Sequence, residues 1–208
     1  VIREASVRSV LDMINFFEKI EPMYYVLHAT GALASEFTRF KAPAPMKALI
    51  NKYMQSFAKT SLEEIIERSE IDPKRLAVED VEFPWDLTLE LIEEFKTSIC
   101  YDTGHLLSGQ PGNIDPMDFL KKHFDKIVEL HLHDAIPRKN VDSYEWKDHL
   151  PLGHGELPFC EIINFLISKN FKGPIVFELG FKDVLSSLKV IKNNCKIDLR
   201  VLEFYGDI

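Results

Sequence analysis

The sequence predicts an α/β fold in which parallel strands alternate with helices and form a (β/α) barrel rather than an open sheet. Three observations carry this. Short apolar runs alternate with segments of helical periodicity, the order that builds parallel sheets. The runs are nearly continuous in apolar residues, as strands covered on both faces are. Ionisable residues also close one run after another: His28, Glu79, Asp102, His131 with His133, and Glu178. Strand ends converge on one mouth in a barrel, whereas a doubly wound sheet gathers its ligands at a single switch point.

Val7, Val10, Leu11, Ile14 and Phe17 recur at helical spacing before the apolar run Met23–His28. A variable stretch over 29–44 follows. Met46, Leu49, Ile50, Tyr53, Met54 and Phe57 suggest a helix, and Thr60 or Ser61 is placed to cap a second, short one. Asp72-Pro73 breaks the chain ahead of a strand over 75–79. Pro84 opens a helix striped by Leu87, Leu91, Ile92 and Phe95. A strand over 98–102, a Gly/Pro-rich loop, a helix over 116–124 and a strand over 127–133 come next. A long loop (134–157) then leads to a helix carrying Ile162, Ile163 and Leu166. Gly173-Pro174 precedes the strand 175–178, a helix runs through Val184, Leu188 and Ile191, and 199–205 reads as one more strand.

The chain has 208 residues, 46% of them hydrophobic, enough for one domain with a sizeable core across 1–208. No run reaches the ~18–20 apolar residues of a membrane span, and no signal peptide opens the sequence. Net charge is −8 with Lys and Arg scattered, which argues against generic nucleic-acid binding and suits a bound divalent cation. Cys100, Cys160 and Cys195 form no CxxC pair, so the expectation is reduced core thiols in a cytoplasmic protein. No Gly-x-Gly-x-x-Gly or Walker-type loop is present.

Six of the seven histidines, all but His123, fall at strand ends or in the loops that follow. Imidazole together with carboxylate suits Zn²⁺, Mn²⁺, Fe²⁺ or Co²⁺. His131 and His133 share a strand face, so one reads as a ligand and the other as a substrate or supporting contact. His123 reads as a structural helix residue, His154 as a loop surface residue and Trp85 as packing, while Trp146 lies in a loop that borders the mouth.

The segments YYVLH (24–28), RLAVED (75–80), ICYDTGHLL (99–107), VELHLHD (128–134), DHLPLGHGELPF (148–159) and IVFEL (175–179) resemble the xylose isomerase-like TIM-barrel superfamily. That superfamily includes endonuclease-IV-type nucleases and sugar and sugar-phosphate isomerases and epimerases. The resemblance implies a (β/α)8 barrel that lacks about its first three strands here, so that a longer polypeptide or another element, such as a second copy in a homo-oligomer, closes the sheet. It implies a divalent-metal quartet of Glu79, Asp102, His131 and Glu178, with the two glutamates also acting as acid and base. His105 then contacts substrate or a second metal, and His28 and His149 match histidines that hold further ions in the nucleases. Lys147 stands where those nucleases carry an Asp, with Asp148 next to it, which argues against a full three-metal centre. His133, Asp148 and Trp146 are the candidates for substrate contact. Within the superfamily the loop phrases are most similar to a group that includes cobamide-remodelling phosphodiesterases.

These features lead first to metal-assisted hydrolysis of a phosphoester or phosphodiester in a sugar- or nucleotide-containing small molecule, a corrinoid among them. The alternative is a metal-dependent sugar or sugar-phosphate isomerase or epimerase, and a third reading is a non-catalytic ligand-binding barrel.

Overall fold

A computed structural model of the chain describes residues 2–30, 42–138 and 146–195. Helix α1 (Ile2–Phe17) forms because Val7, Leu11 and Ile14 repeat at i, i+4 and i+7, and all three are buried. Helix α2 (Ala44–Ser69) repeats the device with Ala58, Leu62 and Ile65. The two helices share a small core with Tyr25 and Leu76. Strand β1 (Tyr25–Leu27) is anchored from below: Arg75 binds Glu18 Oε1 at 2.7 Å and the Pro22 carbonyl at 2.6 Å, and the Tyr25 hydroxyl donates to Glu18 Oε2 at 3.0 Å.

The remaining elements are β2 (Leu76–Glu79), α3 (Trp85–Phe95), β3 (Ser98–Asp102), α4 (Thr103–Ser108), α5 (Pro116–His123) and β4 (Ile127–His131). The hairpin strands β5 (Asp134–Ile136) and β6 (Lys147–Leu150) follow, then α6 (Phe159–Ser168), β7 (Ile175–Val176) and α7 (Phe181–Asn194). Five strands make one parallel sheet in the order β1-β2-β3-β4-β7, and β5 and β6 pair antiparallel beside it. Leu76, Val78, Ile99, Tyr101 and Leu130 face the helices and pack into the core beneath them. The alternate row, Ala77, Glu79, Cys100, Asp102, Glu129 and His131, lines the opposite, inner face. Helices on one face and polar residues on the other is the division a barrel makes.

One irregularity sets the site. Ile99 pairs with Ile127, but Cys100 pairs with Glu129, so Val128 is an extra residue in β4. Regular pairing from Ile127 would set Asp102 opposite Leu130. The bulge sets it opposite His131, and both side chains face inward.

Several expectations are corrected. The helix over 46–57 does not stop at Thr60 or Ser61; both hydroxyls bond back to carbonyls four residues earlier, and α2 runs through. The Gly/Pro-rich segment after β3 contains α4, capped by Asp102, whose Oδ1 accepts from the His105 amide at 2.7 Å. The long loop 134–157 contains the β5–β6 hairpin. Strands β1, β4 and β7 end at Leu27, His131 and Val176, so His28, His133 and Glu178 lie just beyond them. Cys160 and Cys195 are not free thiols. The packing of α6 beside the end of α7 brings their Cα atoms to 5.2 Å and they are joined in a disulfide, leaving Cys100 buried and free. Their separation of 35 residues hid this pairing from the sequence. The strand expected over 199–205 and most of the variable stretch 29–44 lie outside the described residues. Among the described residues no helix is long and apolar enough to cross a membrane.

Candidate metal centre

Glu79 ends β2, Asp102 ends β3, His131 ends β4 and Glu178 follows β7, so four strands deliver four ligand-type side chains to one place. Their ligand atoms all lie within 4.8 Å of one another. His131 Nδ1 is the centre of the group, at 3.2 Å from Glu178 Oε1, 3.5 Å from Glu79 Oε1 and 3.6 Å from Asp102 Oδ2. Yet this buried nitrogen makes no hydrogen bond. A nitrogen spaced from three carboxylates without bonding to any of them matches ligands of a shared cation: bonds of about 2.0–2.1 Å to a tetrahedral ion put neighbouring ligand atoms roughly 3.3 Å apart. The donor set, three carboxylates and one imidazole, fits Zn²⁺, Mn²⁺, Fe²⁺ or Co²⁺.

The electrostatics agree. Burial acts to raise the Glu79 carboxyl, but the contacts with His105 and His28 and the nearby His131 imidazole outweigh it and hold the group well below the usual carboxylate range. Asp102 is likewise held low against its burial by His105, His131 and His133. His131 is raised despite burial, by Asp102 first and then its other neighbours. The same negative field favours a cation.

Around the quartet, His105 Nδ1 is 3.1 Å from Glu79 Oε1, and His28 Nε2 is 2.9 Å from Glu79 Oε2. His149 bridges Asp148 Oδ1 at 2.9 Å and Glu178 Oε2 at 3.3 Å, and these two contacts raise it to about 10. His28, Glu79, His105, Trp146, Asp148, His149 and Glu178 all line one cavity of about 700 Å³. Of the sequence candidates, only Asp102, His131 and His133 do not line it. Asp102 and His131 are buried beside its lining residues Glu79 and Glu178. His133 is wholly buried, with both ring nitrogens engaged by protein, and it lies behind Asp102 rather than on the cavity wall.

Sequence reasoning missed several contributors. Gln110 lines the cavity and donates to Asp148 Oδ2 at 2.5 Å; nothing marked it except its place after α4. Asp80 accepts from the Asp102 amide at 2.6 Å, and burial beside the Asp102 charge pushes its carboxyl well above the usual range. The Thr103 hydroxyl contacts both the His131 and His133 carbonyls and accepts from the His133 amide, which fixes the chain leaving β4. Asp134 receives four backbone amides, those of Ala135 and Leu157 on Oδ1 and those of Gly153 and Gly155 on Oδ2. Gly155 is required there, because a Cβ would stand 2.1 Å from the Ala135 carbonyl. The expected structural residues are placed as anticipated: His123 accepts from the Trp85 indole at 3.3 Å, and His154 is exposed.

Residues 1–194 match the family model described as xylose isomerase-like TIM barrel. The chain belongs to this family. No curated protein matches the sequence. Several solved structures give the same fold at low identity. A xylose isomerase domain protein from Planctomyces limnophilus superposes with a TM-score of 0.64 at 18% identity, over 91% of this chain and 64% of that one. A D-tagatose 3-epimerase-like protein gives 0.66 at 20%, over 92% and 69%. An L-ribulose 3-epimerase gives 0.52 at 15%, over 94% and 62%. This xylose isomerase-like chain therefore spans about two thirds of the length of each, in keeping with the five parallel strands that its described residues contribute to a barrel.

Proposed function

We propose that this chain carries the active site of a divalent-metal-dependent isomerase or epimerase acting on a small sugar or sugar phosphate. The observation that carries the reading is the placement of Glu79 and Glu178. They come from β2 and from the end of β7, on either side of β3 and β4, and meet at His131 Nδ1. Both are held below their usual range, so each is an ionised carboxylate able to take a proton from a substrate carbon between them.

Glu79, Asp102, His131 and Glu178 would hold the cation, which supplies Lewis-acid polarisation of a substrate carbonyl or hydroxyl. The protein's own groups do the rest. Glu79 is buried and shielded from bulk water, with His105 and His28 directing its two oxygens. Glu178 is more open, and His149, carrying a proton, donates to it, so that when Glu79 takes a proton from one face of the carbon the His149 proton can pass through Glu178 to the other face. Two fold neighbours, a D-tagatose 3-epimerase-like protein and an L-ribulose 3-epimerase, support the class of chemistry.

This order reverses the one given by the sequence, in which phosphoester hydrolysis stood first. The hydrolase remains a second reading because of one contact: Glu79 Oε2 is turned to His28 while Oε1 faces the quartet, the posture of a carboxylate that bridges two ions. Against it, His149 is committed on both ring nitrogens to carboxylates.

The test is incubation of the metal-loaded protein with a panel of ketoses and ketose phosphates in D2O. Deuterium incorporated at the carbon next to the carbonyl, abolished in both Glu79→Gln and Glu178→Gln, supports the proposal. Hydrolysis of a phosphodiester such as bis(p-nitrophenyl) phosphate with no exchange on any sugar transfers the assignment to the second reading.

A further inference from the structure

His133 is not used by the chemistry above, yet it is among the most constrained side chains in the protein. Its relative exposure is 0%. Nε2 is 3.0 Å from Asp102 Oδ2. Nδ1 is 2.9 Å from the backbone amide of His149 and 3.4 Å from the Asp134 carbonyl. The two Nδ1 contacts exclude one another, since one needs a lone pair and the other a proton. The amide hydrogen of His149 is fixed and well directed, and its contact is the shorter, so Nδ1 accepts and the ring proton is on Nε2. That proton points at Asp102.

The far side of the same ring supports His149. The two imidazoles stack with centroids 4.2 Å apart and planes 12° from parallel. His149 sits in the irregularity of the β5–β6 ladder, where Asp134 pairs with Leu150 but Ile136 pairs with Lys147, and it adopts φ +52°. A non-glycine residue in that region is strained and persists only where its surroundings hold it. The ring of His133 in turn lies where Gly104 has no side chain: a Cβ there would be 2.1 Å from Nδ1.

We propose that His133 is a positioning residue that couples the two halves of the site, its Nε2–H orienting Asp102 Oδ2 toward the quartet and its Nδ1 and ring face holding His149 against Glu178. The consequence for metal binding rests on reading Glu79, Asp102, His131 and Glu178 as ligands. The same three histidines, His105, His133 and His149, could be mistaken for a second cation site because their nitrogens cluster within 4.8 Å. The commitment of both His133 nitrogens to protein partners removes it from any such set.

Two substitutions divide the role. In His133→Gln the amide nitrogen reaches the Nε2 position and donates to Asp102, while nothing faces the His149 amide. In His133→Asn the amide oxygen reaches the Nδ1 position and accepts from His149, while nothing reaches Asp102. The first measurement is long-range ¹H–¹⁵N correlation NMR of histidine rings in metal-free wild-type protein, with the His133 signals identified by their loss in His133→Gln. The Nε2–H tautomer is expected; the Nδ1–H tautomer overturns the proposal. The second is titration of chelator-stripped protein with Co²⁺, read by its visible absorption. His133→Asn should weaken cobalt about 10–100-fold and alter the band, while His133→Gln stays within about threefold of wild type. Equal losses in the two variants, or losses that merely track their melting temperatures, overturn it. Asp102→Ala serves as the reference: if it leaves cobalt affinity unchanged, the quartet reading falls, and the role of His133 is then decided by the tautomer alone.

Discussion

Gly104→Ala offers a test in which local and tertiary effects have opposite signs. Gly104 lies in the first turn of α4 with no positive φ. On backbone preference alone, Ala should stabilise the helix by about 1 kcal/mol. The tertiary structure says otherwise, because the new Cβ would meet His133 Nδ1 at 2.1 Å and Cε1 at 2.2 Å. Neither is the tip of a flexible chain; both belong to a ring that is fully buried and bonded at each nitrogen. Overpacking of this kind costs roughly 1–3 kcal/mol, and loss of the bond to the Asp102 carboxylate costs roughly 1.5–3 more. The balance is a destabilisation of about 3 kcal/mol, or roughly 6–12 °C in Tm for a chain of this size. Thermal and urea unfolding of the metal-free protein would measure it. On a His133→Ala background the clash is gone, so the same substitution should become neutral or mildly stabilising, and the coupling is read from the double-mutant cycle. A rise in Tm of a few degrees on the wild-type background would refute the packing argument outright.

Elemental analysis of protein purified without chelators should find at least one divalent transition metal per chain, lost in Glu79→Ala; chelation should lower Tm, since an ion at a hundred times its Kd contributes about 2.7 kcal/mol. His123 is depressed by burial first and by Lys122 and Lys126 next. Its folded pKa is therefore below its unfolded one, so its contribution is complete above the unfolded value and is lost as pH falls through the folded one. The stability of wild type relative to His123→Gln should decline between about pH 7 and pH 5, and a flat difference would remove His123 as the cause. Titration of denatured, unreduced protein should count one thiol, rising to three with reductant. Reduction should cost about 3–4 kcal/mol for a loop of this length, and three thiols without reductant would exclude the Cys160–Cys195 bond.

The gathering of ligand-type side chains was legible because strand ends are. An apolar run that stops at Glu79 or Asp102 declares both where the strand ends and which way the last side chain points, and these two residues needed nothing further. The roles of the supporting residues were not legible, for physical reasons. Asp134 looks like any acidic residue after a strand until three amides arrive on it from a loop some twenty residues away. His133 shares the parity of His131, and the pattern cannot say which of two inward histidines the following hairpin will cover. The disulfide and the continuity of α2 depended on tertiary proximity and on side-chain hydroxyls turning back to their own helix, neither of which leaves a periodic trace. Phe17, Leu49, Tyr53 and Phe57, which carried the helical periodicity of α1 and α2 in the sequence, are exposed, because hydrophobic spacing reveals a face without revealing what covers it.

The extra residue at Val128 suggests how such a site withstands insertion and deletion over evolutionary time. Ile127 keeps its place in the helix-facing core and Glu129 and His131 keep theirs inside, although a regular strand could not satisfy both from this sequence. The irregularity takes up the mismatch upstream of the reactive row, so a relative lacking that residue would form an unbroken ladder and still set Asp102 opposite His131. The conserved ruler of this lineage should therefore run from His131 toward the C-terminus, through the turn that Thr103 and Asp134 fasten, while the distance back to the preceding helix drifts. An ancestral reconstruction or a motif search anchored on that forward spacing would recover the site where one anchored on the backward spacing would lose it.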